Sequence, residues 1–275
     1  MSEQKVIVAY KAFHKDLTCR GFQYEIGRTY EHQGNVQACE SGFHAVENPL
    51  DMFSYYDLTD SRFCSVELSG EIARHAEDSK IAAGRITIKA EIGLPQIITD
   101  AVRWVMDLCK DVKAGSGAVQ SASGDYSKLA ASGNSSQLAA SGYYSQLAAS
   151  GDSSKLAASG DYSKLAASGY SSQLAASGNS SQLAASGNSS KLAASGNYSK
   201  LAASGKKSIV MAADTDCTAK VGEDGCIALA WWDSKAERPR VTVGYVGEEG
   251  IEANVAYCVR DGKLAKVDSD DDDAA

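Results

Sequence analysis

What this chain of 275 residues lacks narrows its chemistry before any residue is given a role. Its seven cysteines form no CxxC pair, and no two histidines stand at metal-ligand spacing. Neither a disulfide framework nor a metal site is therefore expected, and reduced thiols are. No apolar run reaches about 18 residues, so no membrane-spanning helix and no membrane partner are expected. The start, MSEQKVIVAY, lacks the basic-then-apolar pattern of a secretory signal, and the expected setting is the cytoplasm. No segment gathers lysine and arginine into the stripe that phosphate contacts require, which argues against duplex DNA as a partner. No serine or cysteine has a recognisable nucleophile context, and the glycines at 21, 27 and 34 fit turns and not a phosphate loop.

Charge is unevenly placed. Residues 1–115 carry 13 Lys/Arg against 17 Asp/Glu, residues 116–208 carry 7 against 3, and residues 209–275 carry 7 against 15. The net charges of −4, +4 and −8 mark three parts. The run Asp268-Ser269-Asp270-Asp271-Asp272-Asp273 has the composition of a solvated, disordered tail over 268–275.

What is present in abundance is repetition. Leu129, Leu138, Leu147, Leu156, Leu165, Leu174, Leu183, Leu192 and Leu201 each sit inside S-(K/Q)-L-A-A-S-G, nine copies of one nonapeptide. At about 100° per residue, nine residues would place successive leucines on opposite sides of a helix, with no buried stripe. A strand fits: in Ser127-Lys128-Leu129-Ala130-Ala131, Ser, Leu and the second Ala point one way, Lys and the first Ala the other. The segment Ser132-Gly133-Asn134-Ser135 then reads as a turn, with its glycine expected to take positive φ. Short strands alternating with tight turns make a solenoid.

The coil length follows from the residues that vary. A nine-residue coil would stack Lys155 on Lys164 and Lys191 on Lys200. An eighteen-residue coil instead gives one column of Lys128, Gln146, Lys164, Gln182 and Lys200 and another of Gln137, Lys155, Gln173 and Lys191, so every lysine has glutamine neighbours. Tyr126, Tyr144, Tyr162 and Tyr198 are also separated by multiples of eighteen, with Ser180 in the gap and Ser135, Ser153, Ser171 and Ser189 on the opposite edge. The expected fold is mainly β: a two-sided parallel β-roll of two nonapeptides per coil over 116–232.

Each coil should bury two leucines, two alanines and two serines. At roughly 1.5–3 kcal/mol per buried Leu, against about 1–2 kcal/mol of backbone ordering per residue, one coil cannot stand alone, and the ends need caps. Decayed units continue, with Val210 in the leucine position, Cys217 and Cys226 in the inward serine position, and Trp231 and Trp232 placed to close the bottom. Calcium-binding rolls use paired glycines and a fixed aspartate, and ice-binding solenoids use ranks of threonine; this unit has neither. The candidate contact residues are the tyrosine edge and the column Lys128, Gln146, Lys164, Gln182 and Lys200. The outward column Ala130, Ala148, Ala166, Ala184 and Ala202 is a smooth strip through which copies of a self-assembling, homo-oligomeric protein would pair.

Before the roll, residues 1–115 read as an α+β domain. Residues 5–13, 22–30, 62–69 and 85–92 alternate like strands, and 49–58 reads as a short helix. A helix near 96–113 carries the apolar stripe Ile97, Ile98, Ala101, Val102, Val105, Met106, Cys109 and Val112, placed to cap the roll. After the roll, residues 240–246, 251–259 and 263–267 read as three strands of a small antiparallel segment (233–267), with Asp261-Gly262 a strong hairpin signal. So small a sheet needs support from the roll's end or the first domain.

The stretches "CRGFQYEIGRTYE" and "CESGFHAVENPLDMFSYY", followed by the "SG" nonapeptides and a short β tail, resemble accessory proteins of tailed phages and prophages. The resemblance implies a non-enzymatic binding or scaffold protein in the bacterial cytoplasm, with a host protein or small molecule as partner and inhibition of a host defence factor as a natural use. The cadence of "SGFHAVENPLDMFSYY" and "SRFCSVELSGE" is also similar to the ADP-ribosyltransferase core. That likeness implies an NAD-dependent enzyme or its inactive descendant, with Tyr10, His44, Tyr55 and Tyr56 about the cofactor and Glu67 or Glu91 stabilising the ribosyl cation. Without it, no cofactor is expected.

Overall fold

The computed structural model describes residues 6–56, 61–75, 79–108 and 117–267. The acidic run at 268–273 and the expected helical residues 57–58 and 109–113 lie outside the described residues. The chain splits into two compact units, Met1–Asp100 and Ala101–Ala275.

The first unit is built on a sheet of β1 (Ile7–Phe13), β4 (Thr29–Glu31), β5 (Phe43–Val46), β6 (Arg62–Arg74) and β7 (Lys80–Glu91), with a separate two-stranded hairpin of β2 (Thr18–Cys19) and β3 (Phe22–Gln23). The strand order is β4-β7-β5-β1-β6, and a further β6–β7 pairing closes the sheet on itself. Closure depends on the length of β7, which pairs along one edge with β5 (Phe43↔Ala83 to Val46↔Lys80) and along the other with β6 (Cys64↔Glu91 to Arg74↔Ile81). Bulges between Ser65 and Val66 and between Ser69 and Ile72 bend β6 toward this partner, and Gly70 at φ +83° supplies the second bend. The core collects Ala9, Phe13, Tyr24, Val66, Leu68, Ile81, Ile86 and Ile88. Where a helix is expected at 49–58, the chain forms a 3-10 helix, Pro49–Ser54; the proline at its first turn and the Asn48 cap, whose Oδ1 accepts from Leu50 N at 3.2 Å, fix where it starts. The strand at 22–30 is likewise broken by a turn at Gly27, φ +85°. The boundary between units falls within α1 (Leu94–Leu108), whose Ile97, Ile98 and Ala101 are buried.

The second unit is the roll. Its parallel strands run from β8 (Val119–Ala122) to β20 (Cys226–Asp233) and alternate between two sheets. Partners lie eighteen residues apart: Gln137↔Lys155, Lys155↔Gln173 and Gln173↔Lys191 on one sheet, Lys128↔Gln146, Gln146↔Lys164 and Lys164↔Gln182 on the other. The tyrosine edge follows the same register. The rings of Tyr126 and Tyr144 stack with centroids 5.2 Å apart, and those of Tyr144 and Tyr162 with 4.9 Å. The leucines, second alanines and serines form the interior. Each buried serine from Ser145 to Ser181 donates its Oγ to the glycine carbonyl three residues earlier, at 2.7–2.9 Å, so the interior hydroxyls are satisfied inside their own turn.

The turn works differently from the sequence expectation. Positive φ belongs to the residue after the Asx position, Tyr126, Ser135, Tyr144 and their successors to Tyr198, at 53–59°. Its N–H donates to a carbonyl one coil onward, as in Tyr126 N to Tyr143 O at 2.8 Å. Asp and Asn side chains add a second rung, for example Asn179 N to Asp161 Oδ1 at 2.7 Å and Asp152 N to Asn134 Oδ1 at 3.0 Å. The glycines are needed for another reason. A Cβ on Gly160 would fall under 3.0 Å from the Gly142 carbonyl, whereas one on Gly124 would meet nothing nearer than Ser127 Oγ at 3.8 Å.

The lower end departs from the expected register. The corner at Gly222–Gly225 is one residue short, so Cys226 pairs with Ile209 in the Lys/Gln column, while Cys217 does occupy the inward serine position, 4 % exposed. The C-terminal strands do not form a sheet of their own. β21 (Arg238–Tyr245) extends one face antiparallel to β20, and β22 (Ala256–Arg260) and β23 (Lys263–Lys266) extend the other beyond β19 (Thr218–Val221). Asp261 and Gly262, at φ 50° and 79°, make the two-residue hairpin turn. The bottom of the core is closed by Ile251 and Tyr257 and not by the two indoles: Trp232 is 55 % exposed, and Trp231 lies against Gly262.

The two outer faces are unequal. Ala130, Ala148, Ala166, Ala184 and Ala202 are at most 2 % exposed, and Gln146 and Lys164 are buried with them. The strip expected to pair copies is therefore buried. The exposed strip is on the opposite sheet, a shallow trough of Ala139, Ala157, Ala175, Ala193 and Met211 beside the exposed Lys155 and Lys191. No helix among the described residues is long and apolar enough to cross a membrane.

Candidate functional site

A cavity of ≈510 Å³ opens in the first unit, within the size range of small-molecule sites. Three local structures build it. The β2–β3 hairpin turns through Arg20 and Gly21, φ 50° and 72°, which sets Arg20 among the lining residues. The 3-10 helix ends at Tyr55 and Tyr56, and it is pinned from below: Asp51 Oδ2 accepts from Ser79 Oγ at 2.7 Å, and Ser79 Oγ accepts from Asn48 N at 2.8 Å. That clamp places Lys80, the residue after Ser79, with its Nζ 4.1 Å from the centroid of the Tyr55 ring. Phe22, Tyr24 and Tyr30 pack edge to face at 4.8–5.4 Å, and Phe22, Tyr24 and Phe43 give the cavity an aromatic wall.

At its floor lies Lys11, whose residue is 7 % exposed. β1 alternation turns it inward beside Ala9 and Phe13, which are apolar. Its Nζ donates to His44 O at 3.1 Å and Cys19 Sγ at 3.5 Å, and it lies 5.3 and 5.9 Å from the ring centroids of Phe13 and Tyr24. Burial pulls its pKa below the usual lysine value, partly offset by Cys19. Cys19 Sγ is hydrogen-bonded to Tyr56 Oη at 2.8 Å, and burial together with that bond pushes the Tyr56 phenol up. His44 is held by a hydrogen bond to the Gln37 backbone, while its Nε2 is buried with no partner. Burial and the charges of Lys80, Lys11 and Arg20 pull its pKa down, so the ring is neutral near pH 7.

Of the residues singled out from the sequence, Tyr10, His44, Tyr55 and Tyr56 all line this cavity. Glu67 and Glu91 do not. Glu67 pairs with Lys89 at 3.1 Å, and Glu91 is gripped by Arg62 at 2.7 and 3.0 Å, which holds its carboxyl below the usual range. Among the described lining residues the carboxylate is Glu40. Lys11, Cys19, Arg20 and Lys80 were not singled out, since Lys11, the adjacent Cys19 and Arg20, and Lys80 come from separate segments; the one local hint was a lysine inside an otherwise apolar strand, IVAYKAF. On the roll, Tyr126, Tyr144, Tyr162 and Tyr198 are exposed, but the column beneath them is less open: Lys128 is exposed, its Nζ 4.8 Å from the Trp104 ring, Gln146 and Lys164 are buried, and Gln182 and Lys200 are half-buried.

Residues 7–100 match a family model described as a domain of unknown function (DUF7666). No curated protein and no solved structure matches the chain.

Proposed function

We propose that the chain is a binding protein whose N-terminal domain holds a small anionic ligand bearing a planar ring. The observation that carries this is the cavity's composition: among the described residues, Arg20 and Lys80 supply positive charge beside one lining carboxylate, Glu40, Lys11 and His44 are also lining residues, and the walls are aromatic. His44 Nε2 is buried without a hydrogen-bond partner, a cost that a bound ligand would offset. The roll serves as a rigid body that displays or spaces the domain. Likeness of the quoted motifs to phage and prophage proteins supports a role inside an infected bacterium, sequestering a small molecule or occupying a host factor.

Calorimetric titration with phenyl phosphate tests the reading, with benzyl alcohol as its neutral counterpart. One phosphate ester bound per chain, no binding of the alcohol, and about tenfold weakening in Arg20→Ala or Lys80→Ala are expected for charge-assisted recognition. Equal affinity for both probes, or no loss in either variant, would refute it. The convergence of Tyr10, His44, Tyr55 and Tyr56 keeps NAD within the same ligand chemistry. Transfer of label from NAD to protein, lost in Glu67→Ala or Glu91→Ala, would establish the enzymatic reading instead.

A further inference from the structure

We infer that Lys11 is a covalent capture site, forming an imine with the carbonyl group of an aldehyde or ketone ligand that also carries a negative charge. The inference rests on the cavity being a ligand site and adds the bond that the ligand makes there.

The geometry around Lys11 is that of a nucleophilic amine and not of a structural cation. Lys11 is among the lining residues of a ligand-sized cavity, and the two acceptors of its Nζ are a backbone carbonyl and a thiol, with no carboxylate in either place. A lysine used for an ion pair has its charge fixed by an acid; one kept among Phe13 and Tyr24 in an apolar setting readily gives up its proton and exposes a lone pair. The neighbours supply the proton traffic. Cys19 and Tyr56 are hydrogen-bonded to one another next to Nζ, and His44, whose buried Nε2 has no partner, is a residue of the same cavity. Arg20 and Lys80 hold the anionic end of the ligand and so limit which carbonyl compounds reach the amine.

The step balances without an oxidant or reductant. The Nζ lone pair forms a bond to the carbonyl carbon while the C=O π pair moves to oxygen, which takes up a proton, and the nitrogen loses one. The carbinolamine then breaks its C–O bond: nitrogen donates its lone pair, the hydroxyl leaves with a proton as water, and the nitrogen gives up its last proton to leave the imine.

Two probes of one shape separate this from the binding reading: pyridoxal 5′-phosphate, an aldehyde, and pyridoxine 5′-phosphate, its alcohol. The full chain is titrated with each, then treated with borohydride and mapped by peptide mass. The expected result is that both bind, only the aldehyde leaves a reduced adduct, and the adduct sits on Lys11 with about tenfold preference over any surface lysine. Lys11→Arg, which keeps the charge, and Lys11→Met, which removes it, should both lose the adduct. Both probes binding with no preferential adduct at Lys11 would overturn the covalent step and leave the binding reading standing. Neither probe binding would overturn both.

Discussion

In the roll, Ser145 and Ser163 are fully buried, and each donates to a glycine carbonyl of its own turn, as do the equivalent serines of neighbouring units. In the N-terminal domain, Lys11 and His44 are buried or half-buried, yet one has a thiol and a carbonyl for partners and the other has a ring nitrogen with none. Near the lower end of the roll Ser204 Oγ, Thr218 Oγ1 and Trp231 Nε1 are also unpartnered, but none of these residues lines the charged cavity of the first domain. A repeat whose interior serines are satisfied turn by turn is built for rigidity. A region that gathers Arg20, Lys80 and aromatic walls about a cavity is built to be completed by something else.

The comparison can be broken most severely at the glycines. Gly160→Ala forces a Cβ against the Gly142 carbonyl, so a loss of about 3 kcal/mol or more is expected by denaturant unfolding, whereas Gly124→Ala, with no coil beneath it, should cost no more than about 1 kcal/mol. Equal effects would mean that stacking does not set the glycine positions. Next in size is the cavity: the double variant Arg20→Ala, Lys80→Ala should weaken phenyl phosphate binding by about 2–3 kcal/mol, measured by calorimetry, and leave the unfolding of the roll unchanged.

A smaller effect concerns pH. His44 has a lower pKa in the folded chain than its ordinary 6.5, because of burial first and then Lys80, Lys11 and Arg20. Below 6.5 the unfolded chain therefore binds more protons than the folded one, and the N-terminal domain should lose stability as pH falls through that range. A bound anion reverses the preference, so affinity for benzenesulfonate, whose charge is constant, should rise between pH 8 and pH 6. His44→Gln should flatten both curves in thermal melts and titrations. The smallest change is expected at the tyrosine edge. Tyr144 is exposed and stacked on both neighbours, and Tyr144→Ser should cost about 0.5–1 kcal/mol in the same unfolding assay, since stacking in water adds little to a ladder already fixed by its backbone.

The coil was legible because side chains that vary report which positions stack: Lys155 between Gln137 and Gln173 needs no coordinates to infer. The function of the glycines was not, since the collision that excludes a Cβ occurs with a residue eighteen positions away, while positive φ is taken by Tyr and Ser. Cys226 was misplaced because one residue is missing from the corner before it. The two outer faces share the sequence KLAA or QLAA, so nothing in the repeat distinguishes the covered alanine column from the open one. The aromatic half of the cavity, Tyr55 and Tyr56, was visible as a cluster in one segment. Its cationic half was not, because Lys11, Arg20 and Lys80 meet only when β1, the β2–β3 hairpin and β7 close around them.

The central claim is that the N-terminal cavity is completed by an anionic ring compound. The most direct measurement follows the imidazole NMR signals of the four histidines during titration with phenyl phosphate. His44 should shift saturably at one equivalent while His75 and the amide signals of the roll stay in place. A His44 signal that does not move, or changes spread along the roll, would contradict the account.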